Sequence, residues 1–174
     1  MSVAKLIAKT PCADLLPFSW GGVSLIEQVI DQMHLVEPFN GTSAAGLTLP
    51  RIGRSNGGKD ARILWFGQGH WMVHGPAPRP ADAAVTDQSD AWACVTIVGA
   101  TAPDVLSRLV PADITALKRG DVIRTQIQHM NGAVHCTGDN SFDLYVFRSM
   151  AGTLVHELKT AMRGVAAREG LSTL

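Results

Sequence analysis

Residues 61–75, ARILWFGQGHWMVHG, decide how this chain is read. Ile63 and Trp65, then Trp71 and Val73, recur at a period of two on either side of Gly67-Gln68-Gly69. Two apolar runs joined by residues that tolerate positive φ predict a β-hairpin. Almost no charge interrupts the stretch, so at least one face must be buried. Trp65, Phe66 and Trp71 supply much of the apolar area of a core.

Beyond the hairpin, Gly75-Pro76-Ala77-Pro78-Arg79-Pro80 is a stiff connector suited to polyproline conformation. Residues 85–88 read as a short strand. Residues 91–98 read as a longer one, with Trp92, Cys94, Thr96 and Val98 on one face and Ala93, Val95 and Ile97 on the other. Thr101-Ala102-Pro103-Asp104 predicts a helix start, because threonine caps free amides, proline suits the first turn and a carboxylate suits the positive end of the dipole. Val105, Leu106, Leu109 and Val110 form its buried stripe, and Pro111 ends it. Residues 122–128 alternate as a strand, Asn131-Gly132 predicts a two-residue turn, and residues 133–137 return. Gly138-Asp139-Asn140 turns again before a strand over 142–147. Ser149 is expected to cap a long helix that runs to about Glu169 and stops at Gly170, with Met150, Leu154, Leu158, Met162 and Val165 as its apolar stripe.

Toward the N-terminus, residues 1–22 read as an arm broken by Pro11 and Pro17. Its Leu15, Leu16, Phe18 and Trp20 are apolar, so it docks either on its own body or on another subunit. The apolar residues from Val23 to Val36 fit neither period cleanly, and a strand is expected at each end. Pro38-Phe39-Asn40-Gly41 is a turn, Gly46-Leu47-Thr48-Leu49-Pro50 a short extended piece, and residues 51–60 a Gly/Ser/Asn loop. Strands joined by hairpins, with a helix after each group, predict an α+β fold with mostly antiparallel sheet. After the arm, residues 23–174 are expected to form one domain in two halves, approximately 23–110 and 111–174.

Composition narrows the function. Fifteen basic and fifteen acidic side chains leave a net charge of zero, and charged residues make up only 17% of the 174, against a usual quarter or so. Without a basic patch or aromatics interleaved with lysine and arginine, nucleic acid is not the expected partner. No apolar run reaches the length of a membrane span, so a cytoplasmic location is expected. Cys12, Cys94 and Cys136 are odd in number and widely spaced, which suits reduced thiols. A surface this poor in charge fits partial covering by a partner.

Chemistry-bearing residues are sparse. His70 and His74 would sit on one strand about 13 Å apart, too far to share a metal. His129, His135 and Cys136 flank the expected turn, but neighbours on a strand point to opposite faces, so at most two converge. Asp139 and Asp143 read as turn and strand-exposed carboxylates. Arg62, Arg124 and Arg148 lie on strands or at their ends and could grip a carboxylate. Gly67-Gln68-Gly69 has no helix after it and is not a dinucleotide loop. No P-loop, nucleophile elbow, CxxC or HExxH sequence occurs, and no catalytic, cofactor-binding or metal-binding residue is assigned.

The assembled pattern resembles the gamma subunit of heterotetrameric sarcosine oxidase. Gly46-Leu47-Thr48-Leu49-Pro50 followed by a glycine-rich loop, Arg62-Ile63-Leu64-Trp65-Phe66-Gly67, and His70-Trp71-Met72-Val73 resemble successive family motifs. Asp87-Gln88-Ser89, Ile97-Val98-Gly99 with Val105-Leu106, Ala112-Asp113-Ile114, and Ser141-Phe142-Asp143-Leu144-Tyr145-Val146-Phe147-Arg148-Ser149 follow in the same order. The likeness spans roughly residues 33–168. It implies a fold similar to the folate-binding domain of aminomethyltransferases, with two interlocked α+β halves.

It also implies a complex in which alpha, beta and delta subunits carry FAD, FMN, NAD, zinc and the tetrahydrofolate site. That complex demethylates sarcosine oxidatively to glycine. This chain would then be a structural subunit binding no cofactor itself. The Lys-Gly-Cys signature of related iron–sulfur repair proteins is absent, and Asp87 stands only near the step of the aminomethyltransferase aspartate. The segment 39–47 is short for the family, which implies a reduced helix there. A rival expectation is a folate- or pterin-binding module, in which Trp65, Trp71 or Trp92 stacks on the ring and an arginine holds the glutamyl tail. A second rival is a free-standing homodimeric binding protein.

Overall fold

The computed structural model describes residues 7–58 and 61–172, except the side chains of residues 169, 171 and 172. Residues 1–6 of the expected arm and 59–60 of the expected loop therefore lie outside the described residues. The strands are β1 (Phe18–Trp20), β2 (Val23–Gln28), β3 (Met33–Pro38), β4 (Ser55–Gly57), β5 (Arg62–Gly67), β6 (His70–His74), β7 (Ala83–Asp87), β8 (Trp92–Gly99), β9 (Val122–Ile127), β10 (Met130–Gly138) and β11 (Ser141–Phe147). Helix α1 is Ala102–Leu106 and α2 is Ala151–Ser172, preceded by a 3-10 turn, Arg148–Met150.

The strands form two antiparallel sheets, which bears out the α+β expectation. One has the order β1-β2-β8-β11-β10-β9 and the other β4-β5-β6-β3-β7. Helices α1 and α2 cover one face of the six-stranded sheet through Ala93, Val95, Ile97, Val105, Leu106, Leu154 and Leu158. The five-stranded sheet covers part of the other face, where Leu64, Phe66 and Met72 meet Trp92, Cys94 and Tyr145. β8 therefore buries both faces, as its nearly unbroken apolar run requires. The chain changes sheets between β2 and β3, so no single period runs from Val23 to Val36.

The central hairpin forms as expected, with Trp65 opposite Trp71 and a bulge before Gly67. Both its faces are covered. Leu64, Phe66 and Met72 point between the sheets, while Val36 and Val73 lie with Ala44 and Ala83 under residues 44–50. Trp71 donates its indole N–H to the Pro50 carbonyl at 2.9 Å, which satisfies the polar atom of a fully buried ring.

Several local expectations are corrected. Asn131-Gly132 lies inside β10, and the hairpin turns at Gln128-His129, where Ile127 pairs with Met130 and Gln128 takes φ +55°. Gly132 serves packing instead: a Cβ there would stand 2.4 Å from the Tyr145 carbonyl oxygen. Thr101 makes no side-chain cap, although proline does occupy the first turn of α1. The helix ends at Leu106 rather than at Pro111, which leaves Leu109 and Val110 buried in the turn beyond it. Ser149 lies in the 3-10 turn rather than capping α2, and Met150 is exposed rather than part of the stripe. Helix α2 continues past Gly170 to Ser172. Residues 51–60 contain β4, which pairs with β5 through backbone alone and carries no apolar pattern to announce it. Residues 46–50 make only an isolated bridge, Ala44 to Leu47.

The described part of the arm docks on its own body. Cys12 is fully buried in the core beneath the helices, and Glu27 receives the Cys12 N–H at 2.8 Å and the Thr10 hydroxyl at 2.7 Å. Lys159 reaches the Leu15 carbonyl and lies over the Phe18 ring, while β1 pairs with β2.

Candidate functional site

Asp143 on β11 stands directly opposite Thr96 on β8 and His135 on β10. Paired residues share a face, so all three point toward the five-stranded sheet. That sheet contributes Ser55 from β4 and Arg62 from β5. The Thr96 hydroxyl donates to Asp143 Oδ1 at 2.6 Å, and Arg62 Nη1 donates to Oδ2 at 3.0 Å. Arg62 Nη1 also lies 3.4 Å from His135 Nδ1, and His135 Nε2 lies 2.9 Å from Ser55 Oγ. Nearby, Arg54 pairs with Asp121 and binds the Arg119 carbonyl, fastening the loop before β9 to the same edge.

Asp143 is thus a buried carboxylate with a full set of partners, not the strand-exposed group expected. Burial raises its pKa, but His135, Thr96 and the Arg62 guanidinium outweigh that and hold it below the usual carboxylate range. Beside it, burial lowers His74 to about 4, with the Arg62 charge acting in the same sense and Asp143 opposing. His74 is therefore neutral near pH 7. Burial likewise raises the Cys94 thiol and the Tyr145 hydroxyl well above their ordinary values, so both stay protonated.

The cluster forms the inner wall of a cleft of about 730 Å³, roofed by residues 28–32 between β2 and β3. Arg62, His74, Thr96, Asp143 and Tyr145 line it.

Ser55, His135 and Asp143 follow the spatial order of a hydrolase triad, with Arg62 bonded into the same network. Ser55 Oγ also donates to the Gly120 carbonyl at 3.2 Å. His135 Nδ1 stands 3.4 Å from Arg62 Nη1 and 3.7 Å from Asp143 Oδ2, so both imidazole nitrogens are engaged within the cluster. The neighbouring amides are also engaged, Ser55 N–H with the Gly120 carbonyl and Gly120 N–H with the Cys136 carbonyl, so neither can hold an oxyanion. The arrangement is a clamp between sheets.

The remaining candidates disperse. His70 pairs with Glu37 at 2.8 Å near the surface, while His74 is buried. His135 faces the clamp, and Cys136 packs in the core under the helices. Among the described residues no group of three or more His, Cys, Asp or Glu could hold a metal. Cys12, Cys94 and Cys136 are free and buried. Asp87 is exposed and bonds Ser89, which holds its carboxyl below the ordinary range. Arg148 binds the Lys9 carbonyl at 2.8 Å, with Asp90 at 3.8 Å. Arg124 lies over Phe66 and Trp92, and no described carboxylate pairs with it. Trp71 and Trp92 are core side chains, Trp92 packed edge-on against Phe66 and stacked on Phe147. Neither offers a free face to a pterin.

The architecture defines an α+β protein of three layers, helices on a six-stranded sheet on a five-stranded sheet, with a polar clamp between the two sheets. No known family profile matches the chain, and no curated protein matches it by sequence. Among solved structures it is similar to a chain of the heterotetrameric sarcosine oxidase from Corynebacterium sp. U-96, solved in complex with pyrrole 2-carboxylate. The TM-score is 0.78 at 20% identity, over 91% of this chain and 96% of that one. The fold is therefore that of a sarcosine oxidase chain. Among the described residues, no helix is long and apolar enough to cross a membrane.

Proposed function

We propose that this chain is a non-catalytic structural subunit, of the gamma type, in a flavin-dependent heterotetrameric sarcosine oxidase. The observation that carries the reading is the mutual coverage: nearly all of this chain superposes on nearly all of that chain. A shared module inside a larger enzyme would leave much of one partner uncovered. The commitment of Ser55, His135, Asp143 and Arg62 to one another supports a role without chemistry. Exposed Trp20, Ile26, Phe39, Ile52 and Phe147 offer apolar surface to partner subunits.

Alpha, beta and delta subunits would carry FAD, FMN, NAD, zinc and tetrahydrofolate in the cytoplasm, where the complex converts sarcosine to glycine. The test is purification of the tagged chain from its native host, with mass and absorbance spectra of whatever accompanies it. A yellow complex that turns over sarcosine supports the proposal. A colourless chain that emerges alone overturns it.

A further inference from the structure

Arg124 is a partly buried cation for which no described residue of this chain provides an anion. Its guanidinium carbon lies 4.6 Å from the Phe66 ring centroid and 5.4 Å from that of Trp92. Its Nη1 is fully buried without a hydrogen-bond partner. Burial pulls its pKa below the ordinary arginine range. Arg54, Arg62 and Arg148 each have an aspartate within 4 Å, whereas no described carboxylate comes that close to Arg124. The aromatic faces replace only part of the water that such a cation gives up.

Its surroundings are built like an interface. Arg124, Ala133 and Tyr145 stand in one row across the six-stranded sheet, on the face turned toward the five-stranded sheet. The next row on that face holds Gln126, paired with Asn131, and Phe147, paired with Trp92. Here the five-stranded sheet has ended, and Gln126, Asn131 and Phe147 are exposed. An aromatic ring, two amide side chains and a desolvated arginine thus form one continuous strip on β9, β10 and β11. β9 is an edge strand, so the strip is reachable from the side. Arginine and aromatics backed by a packed core are the usual anchors of a protein interface. The four clefts described for the molecule do not include Arg124 in their walls, which favours a polypeptide surface over a small molecule.

We propose that this strip docks a segment of a partner polypeptide that sets an aspartate or glutamate carboxylate on Arg124 and an apolar side chain on Phe147. The identity of that polypeptide, a larger subunit of the oxidase, rests on the subunit reading above.

Arg124→Lys supplies the test, because a carbodiimide joins an amine to a carboxylate in direct contact, with loss of water, and leaves arginine untouched. The complex carrying Arg124→Lys is treated with the reagent and mapped by mass spectrometry. The expected product is an amide between position 124 and an Asp or Glu of a larger subunit, absent from the unsubstituted complex. Arg124→Met and Phe147→Ser should each weaken assembly by about tenfold or more, while Arg124→Met leaves the isolated chain at least as stable. An intact complex with no such product, or one linked to this chain or a second copy, overturns the docking and leaves the subunit reading standing. Loss of stability in the isolated Arg124→Met chain matching its loss of assembly also overturns the docking. A chain that forms no complex overturns both.

Discussion

Arg62 and Asp143 belong to different sheets, and Arg62 Nη1 meets Asp143 Oδ2 at 3.0 Å across the gap between them. The pair is the centre of the clamp, since Arg62 also reaches His135 and Asp143 also holds Thr96. Its geometry explains why a chain with few charges keeps one buried carboxylate. Thr96 and His135 each contact that carboxylate or its arginine, and Ser55 joins through His135.

Asp143→Asn should therefore destabilise the chain by about 3 kcal/mol, because Arg62 is left as a buried charge without its partner. Removing both charges together, as Arg62→Met with Asp143→Leu, should cost less than the sum of the single changes. Urea unfolding of the four proteins measures the coupling. Additive losses would show that the clamp is not a unit.

Acid should loosen the fold through His74 before it reaches Asp143. With a folded pKa of about 4 against 6.5 unfolded, the unfolded state takes up the proton first, so stability falls as pH drops. The contribution of His74 is complete above the unfolded value and gone below the folded one. It amounts to a loss of about 2 kcal/mol between pH 7 and pH 5. Asp143, whose pKa is depressed, adds its own loss only below the ordinary carboxylate range. His74→Phe should flatten the curve between pH 7 and pH 5 in denaturant titrations. An unchanged slope would mean that His74 titrates normally.

Gly132→Ala should cost more than about 2 kcal/mol, because the new methyl group meets strand backbone that cannot withdraw. At Gly138 an added Cβ meets nothing within 4 Å, so Gly138→Ala should stay within about 0.5 kcal/mol of the parent. Thermal melting of the two variants separates packing from any general intolerance of β10.

Thiol labelling reads the docking of the arm. Cys12, Cys94 and Cys136 are buried and should resist an aromatic disulfide reagent until the chain unfolds. Burial, reinforced by Glu27, also raises the Cys12 thiol to about 11. Glu27→Ala removes the acceptor for the Cys12 N–H and the Thr10 hydroxyl, and should make Cys12 the first thiol to react. Equal rates at all three would mean that the arm does not move independently.

Much of the element content was legible in the sequence. The two-faced burial of β8, the 67–69 turn and the buried Val105 and Leu106 of α1 follow from periodicity and turn chemistry, which act over a few residues. The errors fell where packing overrode a local rule. Asn131-Gly132 carries a turn signal, yet Gly132 is needed inside the strand because the Tyr145 carbonyl lies against it. β4 has no apolar pattern and exists because β5 offers it a backbone edge. The clamp had no local signal: Ser55 and His135 are 80 positions apart, and Arg62 and Asp143 81.

By itself the sequence determined most of the strand and helix segments, β1 and β4 excepted, that the fold is α+β, and that its thiols are not a disulfide framework. Local backbone preference and the alternation of apolar side chains suffice for that. Only the tertiary structure decided which strands share a sheet, that the arm folds back on its own core, and that Asp143 is a buried clamp while Arg124 pairs with no described carboxylate. A period of two reports that a strand has two faces, but what each face meets depends on side chains that distant segments bring to it.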